Sequence, residues 1–375
     1  MDSQDLATSP LDAIHQELGA TFTDFAGWRM PVRYSSDLAE HAAVRTSAGI
    51  FDLSHMGEIE VVGPQAGDAL DRALAGSLST LAEGRAKYSL LLNEDGGVLD
   101  DVIAYRLAGE RYLVVANAAN ADLVARELTA RAEGLDAAVQ DHSREVALIA
   151  VQGPASADIV TRAVMGGTGT GLRVQDIAAL RYYRVLRGTF GGDELLVART
   201  GYTGEDGFEL YTPVAHAEEL WRTLERAGGE DLVPCGLACR DTLRLEAGMP
   251  LYGHELGPDL LPAQSGLGRV VALTSKGDFV GRGAIERTDT SGRPVLVGLA
   301  GEGRRAARAG SAVRTPEGAQ VGAITSGALS PTLGHPVAMA FVDPAASAVG
   351  TALVADVRGR DLPVTVVELP FYTRP

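Results

Sequence analysis

One stretch constrains this chain more than any other: Asn93-Glu94-Asp95-Gly96-Gly97-Val98-Leu99-Asp100-Asp101-Val102-Ile103-Ala104-Tyr105. Asn, Asp and paired Gly supply the positive-φ positions of a tight turn. The run from Val98 to Tyr105 suits a pleated, largely buried surface. Side chains alternate across a strand, so Asp100 and Asp101 must point to opposite faces. That excludes a dyad sharing one proton and favours one working carboxylate beside one structural one. The competing reading is an edge strand whose acids meet water. Leu99, Asp101 and Ile103 share one face and Val98, Asp100 and Val102 the other, and neither face is plainly polar. A carboxylate kept in such company is paired, hydrogen-bonded or useful.

The chain of 375 residues is long enough for two or three domains with real cores. No apolar run approaches the roughly 18 residues of a membrane helix. The start, Met1-Asp2-Ser3-Gln4-Asp5, lacks the basic region and apolar core of a secretory signal, so a cytoplasmic home is expected. A net charge of −16 argues against general nucleic-acid binding, because little would neutralise phosphates. Cys235 and Cys239 have no second pair or nearby His to complete a zinc site and read as small buried thiols. The histidines are scattered, and no metal is expected.

Strands are expected over 83–105, 112–116, 146–152 and 194–200, with helices over 119–132 and 215–227. After residue 290 strands dominate and suggest a compact β module. The glycine-rich segment 274–294 reads as a linker. A weak repeat joins Val62-Gly63-Pro64 to Gln152-Gly153-Pro154 at an offset of 90 residues, each followed four residues after the proline by an Asp. Both read as a strand ending in Gly-Pro at the first turn of a helix, which points to two related modules.

Three further stretches can carry chemistry. In Arg199-Thr200-Gly201-Tyr202-Thr203-Gly204-Glu205-Asp206-Gly207-Phe208-Glu209, three glycines let backbone close around a ligand. Tyr202 and Phe208 could stack on a planar ring, and Glu209 could accept paired donors from an aminopyrimidine edge; the competing reading is a solvated hairpin turn. In Cys235 to Met249, Arg240 and Arg244 share a helix face, and arginine's planar fork suits a carboxylate or pterin-like edge. The hydroxyls of Gly322 to Gly334 lack a triad histidine and read as a hydrogen-bonded loop.

Taken in order, these residues resemble the aminomethyltransferase (T-protein) family of the glycine cleavage system. The likeness covers almost the whole chain: Asp24-Phe25-Ala26-Gly27-Trp28, Met30-Pro31, Val44-Arg45, Phe51-Asp52-Leu53-Ser54-His55-Met56, Asn93 to Asp101, Val151 to Pro154, Thr200 to Glu209, Arg240 to Met249, Asp278-Phe279-Val280-Gly281 and Gly322 to Gly334. The resemblance implies an α+β fold, a three-domain cloverleaf of two related β-rich modules and a C-terminal β-barrel-like module around a central folate channel. The expected division is 1–50 with 143–275, then 51–142 carrying Asp101, then 276–375. It also implies transfer of the one-carbon unit from the aminomethyl-lipoyl arm of the H-protein to tetrahydrofolate, giving methylenetetrahydrofolate, ammonia and the reduced arm, a step in glycine catabolism and one-carbon metabolism. On this resemblance Asp101 is the catalytic residue. Glu209 and Arg240 match folate-binding positions, and Tyr202, Tyr88, Met56 and Asn117 match wall positions. Gly268-Arg269 departs from the family, where an aromatic residue is common.

Two rivals share the fold. The folate-binding iron–sulfur assembly proteins carry Lys-Gly-Cys-Tyr-x-Gly-Gln-Glu, whereas this chain reads Lys276-Gly277-Asp278-Phe279-Val280-Gly281-Arg282-Gly283 and lacks the cysteine. A folate-dependent demethylase is the other; the flavin-linked oxidases would need a Gly-x-Gly-x-x-Gly domain that this chain lacks.

Overall fold

The computed structural model describes residues 6–166 and 170–374. The acidic start, Met1 to Asp5, lies outside the described residues. The fold is mixed α+β, and the chain forms two compact units. The first takes the chain up to Ala73, Ser77–Tyr88 and Val102–Arg240; the second takes Leu74–Gly76, Ser89–Asp101 and the chain from Asp241 onward.

The first unit is built on a six-stranded sheet in the order Val185–Phe190, Asp193–Ala198, Gly207–Pro213, Val146–Gln152, Ala48–Asp52, Leu232–Pro234. Alternation sorts its side chains. Ala147, Ile149 and Val151 join Ile50, Val197, Phe208 and Leu210 in one apolar core with Leu220, Trp221 and Leu224 of the helix Ala217–Gly228. The intervening residues, Glu209 and Tyr211 among them, take the opposite face. A second sheet runs Arg85–Leu92, Val98–Ala108, Arg111–Ala116, Gly57–Val62, Ala138–Asp141. In the first unit the two sheets meet through Tyr105, whose hydroxyl lies 3.1 Å from that of Tyr211, and through Arg111, which grips Glu194 at 2.7 and 3.0 Å.

In the second unit the β module expected after residue 290 is a closed six-stranded barrel, Val295–Gly301, Pro336–Val342, Gln320–Leu329, Ala312–Arg314, Ala352–Asp356, Asp361–Val367. Its interior is filled by small and branched residues such as Val313, Ile324, Ala340 and Leu353. Leu245, from the helix Leu237–Glu246, packs with Ala328, Val337 and Met339 in a separate cluster.

Two sequence expectations change in detail. The segment 274–294 is no open linker: it contains the helix Arg282–Arg287, and its basic side chains satisfy backbone carbonyls. Lys276 donates to Leu74 O and to Gly76 O, and Arg282 donates to Leu273 O, Lys276 O and Gly277 O. Glycine content alone hides such clamps. In the repeat, Gly63 and Gly153 adopt matching φ of 125° and 129°, and Ala66 N–H and Ser156 N–H close the same turn onto them. The prolines therefore occupy the second position of a β-turn ahead of the helices Ala66–Ala73 and Ser156–Gly166, not the first helical turn.

Candidate active site

The acid-bearing strand Val98–Ala108 is preceded by the expected turn. Asn93 accepts from Gly97 N–H through its side chain at 2.8 Å and donates to Pro258 O at 2.9 Å. Any Cβ on Gly97 would fall 1.7 Å from Pro258 O, so only glycine fits. Along the strand Val98, Asp100, Val102 and Ala104 are buried, whereas Leu99, Asp101 and Ile103 are half-exposed. The two acids thus differ in kind. Asp100 is fully buried, at 0% exposure, while Asp101 stands on the face that a solute can reach.

In the first unit the structure brings Glu209, Arg240 and Tyr202 together. Glu209 sits in the middle of the six-stranded sheet, paired with Ala150 on one side and Ala198 on the other. Three hydroxyls converge on its Oε2: Thr200, Tyr105 at 3.3 Å and Tyr211 at 3.5 Å. Burial and the Glu209 charge hold the Tyr105 phenol far above its usual range, so it stays a neutral hydroxyl. The Arg240 guanidinium lies 5.0 Å from the centroid of the Tyr202 ring, within cation–π range. Burial pulls its pKa down and the Glu209 charge opposes that pull. Its Nη1 is buried and has no hydrogen-bond partner among the described residues. A carboxylate, a guanidinium with an unused donor and an aromatic face suit a planar ligand carrying donors and acceptors on its edge.

Met56 and Asn117 belong to the same unit. Gly57 pairs with Ala116 at the end of a strand ladder, so Met56 and Asn117 are the next residues on either side; both are half-buried. His55, beside Met56, is buried, and burial lowers its pKa to about 4 against the pull of Asp52 and with the push of Arg240. It is a neutral imidazole at physiological pH. Tyr88 is half-buried on Arg85–Leu92. Asp101 lies in the second unit, the others in the first.

Residues that sequence reasoning passed over hold these groups. Gln152 is fully buried; its amide donates to Thr200 O at 3.1 Å and accepts from Thr203 at 3.0 Å, gripping both arms of the glycine-rich loop. A Cβ on Gly201 or Gly207 would strike that amide. Arg45 donates to Thr203 O at 2.7 Å and Glu205 at 3.0 Å, and Arg199 pairs with Asp206. The Glu205-Asp206 pair is therefore a clamp and not a solvated tip. Phe208 is corrected as a stacking residue: strand alternation sends it into the core opposite Glu209, with no exposure. Asp52 of the Asp-Leu-Ser-His motif is a structural hub. Burial raises its pKa, but hydrogen bonds from His15, at 2.8 Å, and from Ser9 outweigh that and hold it low.

Arg244 and Arg240, four apart on one helix, have different work. Arg244 is buried in the second unit between Asp241 at 2.8 Å, Glu255 at 3.2 Å and the Ser326 hydroxyl at 2.8 Å. It is structural, because two carboxylates already satisfy it. The 322–334 stretch, expected as a hydrogen-bonded loop, is corrected in its larger part: Gly322 to Leu329 belong to the barrel strand Gln320–Leu329, and only the turn after it, where Glu246 accepts from Ser330 and Thr332, is such a loop. The helix ends in a Schellman turn, with Met249 N–H on Arg244 O and Gly248 N–H on Leu245 O. Gly268–Val270 forms a single 3₁₀ turn. Both cysteines are buried thiols. Among the described residues no cluster of three His, Cys, Asp or Glu side chains could hold a metal ion, and no helix is long and apolar enough to cross a membrane.

Residues 11–275 match the family model of the GCVT N-terminal domain, and residues 295–373 match that of the glycine cleavage T-protein C-terminal barrel domain. The fold and these matches define a folate-dependent transferase. An aminomethyltransferase of Cutibacterium acnes is 63% identical over 98% of this chain and 99% of its own length. One from Streptomyces coelicolor is 54% identical over 100% of both. The crystal structure of the glycine cleavage system aminomethyltransferase T from Bartonella henselae matches with a TM-score of 0.89 at 37% identity, covering 99% of each chain. The chain belongs to the glycine cleavage T-protein family, and its function is that of an aminomethyltransferase. Membership implies folate as co-substrate and an interaction with the H-protein; the iron–sulfur assembly and demethylase readings are not favoured.

Proposed function

We propose that Asp101 is the catalytic residue, and that Glu209, Arg240, Tyr202, Tyr88, Met56 and Asn117 hold tetrahydrofolate while it accepts the one-carbon unit from the aminomethyl-lipoyl arm of the H-protein. The observation that carries this reading is the division of labour on one strand, where Asp100 is sealed and Asp101 is accessible. In the reaction the carbon–sulfur and carbon–nitrogen bonds of the aminomethyl group break, and the carbon bonds to both N5 and N10 of the folate. The two folate N–H protons leave with sulfur and with ammonia. Loss of ammonia builds positive charge on the carbon, and a preorganised carboxylate opposes that charge. The same carboxylate can orient a folate N–H so that the nitrogen faces the carbon. Glu209 accepts donors from the aminopyrimidine edge, and the unused Arg240 donor meets an acceptor of the ligand. No metal enters this scheme, and the reaction belongs to the cytoplasm.

We read the polypeptide as three modules, 1–50 with 143–275, 51–142 and 276–375; the matching turns at Gly63 and Gly153 support a relation between the first two. Release of ammonia from aminomethyl-loaded H-protein, with and without tetrahydrofolate, tests the function. Release that requires both partners supports it, and transfer of a methyl group from a free methylated amine to tetrahydrofolate, without ammonia, would mark a demethylase.

Docking of the H-protein should be charge-assisted and transient. On a chain of net charge −16 a docking surface for an acidic partner must be a local basic patch. Arg304, Arg305 and Arg308 form the best candidate; Arg304 and Arg305 are exposed, while Arg308 donates to Gly327 O at 3.0 Å. Arg29 and Arg33 form a second basic cluster, in which Arg29 pairs with Asp12 and Arg33 with Asp37. Replacing Arg304 and Arg305 with Glu should raise the KM for loaded H-protein several-fold at low salt and flatten its salt dependence, leaving the KM for folate unchanged. Kinetics identical to the parent at low salt would place the docking surface elsewhere.

A further inference from the structure

Glu58 is a carboxyl group without a visible occupation. It is completely buried, and neither carboxyl oxygen has a hydrogen-bond partner among the described residues. Other buried acids of the first unit have partners: Asp52 accepts from Ser9, His15 and Ser54 N–H, and Glu40 from three backbone N–H groups. An ionised carboxylate in that state lacks both water and a partner for its charge, which strongly disfavours it. A neutral acid avoids most of that penalty.

Strand register fixes where Glu58 points. It pairs with Val115, and Val115 pairs with Ile103. Cross-strand partners share a face, and Ile103 shares its face with Tyr105 two residues on. Tyr105 directs its hydroxyl at Thr200, Tyr211 and Glu209, at 3.0, 3.1 and 3.3 Å. Glu58 therefore looks toward the layer that holds Glu209. The titratable groups that act on it are Asp141, from the neighbouring strand Ala138–Asp141, and Glu209; Tyr211 feels it in turn. Asp141 is engaged with Ser143, through its N–H at 3.0 Å and its hydroxyl. Burial, then Asp141, then Glu209 all push the Glu58 pKa well above its ordinary value.

We propose that Glu58 is a positioning residue for Glu209. Held as a neutral acid behind the Tyr105–Tyr211–Thr200 cluster, it adds no second negative charge beside Glu209, the carboxylate to which that cluster donates. Glu209, with its three hydroxyl donors and Arg240 nearby, is the better home for the charge; Glu58, with no donor, is the better home for the proton. If Glu58 ionises, the two like charges oppose each other in a low-dielectric layer and ligand binding at Glu209 weakens. This rests on the assignment of Glu209 to the folate site.

Infrared difference spectra of the full chain test it directly. At neutral pH the parent should show the carbonyl band of a protonated carboxylic acid, lost on alkaline titration and missing from Glu58→Gln. Calorimetric titration with tetrahydrofolate should give a Kd that rises about threefold or more from neutral to alkaline pH in the parent, and a smaller rise in Glu58→Gln. Stability gives a third readout. A carboxyl whose pKa is raised by folding loses stability as pH climbs from its unfolded to its folded value, so Glu58→Gln should melt above the parent at neutral pH and match it in acid. A parent without the band, a variant that keeps it, or equal alkaline weakening in both proteins overturns the inference. Glu209→Gln separates the two assignments: unchanged folate affinity there removes Glu209 from the folate site, while the infrared band still decides the protonation of Glu58.

Discussion

Asp101→Asn should lower kcat by about 10²–10³-fold, the usual loss when one preorganised electrostatic partner of a transition state is removed. Tetrahydrofolate affinity and the thermal midpoint should stay close to the parent. The replacement is isosteric and keeps a polar side chain on the half-exposed face of its strand, so packing has little reason to change. Only the negative charge is lost, and that charge matters most when ammonia departs. Asp100→Asn provides the contrast. Asp100 is sealed on the other face, so its effect should fall on stability, with a smaller change in kcat. Steady-state kinetics with loaded H-protein, alongside calorimetry for folate, separate these outcomes. A near-silent Asp101→Asn beside a crippled Asp100→Asn would reverse the assignment.

The second large effect concerns the ligand. Glu209→Ala and Arg240→Ala should each weaken tetrahydrofolate binding by about 10–100-fold, in line with 1.5–3 kcal/mol for a hydrogen bond to a charged group. Glu209→Ala would also remove the acceptor that the hydroxyls of Thr200, Tyr105 and Tyr211 share, leaving them only their bonds to one another. Arg240→Lys should recover only part of the loss. A lysine supplies the charge over Tyr202 but not the planar fork with its additional N–H groups. Calorimetric titration reads this directly, and unchanged affinity in both alanine variants would remove the pair from the site.

Much of this was legible in the sequence because it depends on local rules. Period-two alternation separated Asp100 from Asp101, and the burial of the strand agrees with it. The Gly-Pro repeat announced two strand-to-helix junctions with the same backbone turn. The strand Val146–Gln152 came out at its expected ends because its apolar run is short and stops at Gly153-Pro154. Other features depended on partners far away in the chain. Nothing local to Glu209 names Tyr105, which is 104 positions distant. Phe208 looked available for stacking until its neighbours on either side of the sheet were fixed; alternation with Glu209 held the clue. Arg240 and Arg244 have the same chemistry and share a helix face, yet Glu255 and Ser326 claim only the second. Glu58 gave no signal, because an acid in Gly57-Glu58-Ile59-Glu60 reads as one solvated side of an amphipathic strand.

The most direct measurement is a single-turnover reaction of aminomethyl-loaded H-protein with the parent and with Asp101→Asn, in the presence of tetrahydrofolate. Ammonia and methylenetetrahydrofolate are quantified together over time. The parent should form both in equal amounts, and Asp101→Asn should form them in the same ratio at a rate lower by about two orders of magnitude or more. Equal rates in the two proteins, or ammonia released by the parent without methylenetetrahydrofolate, would contradict this expectation.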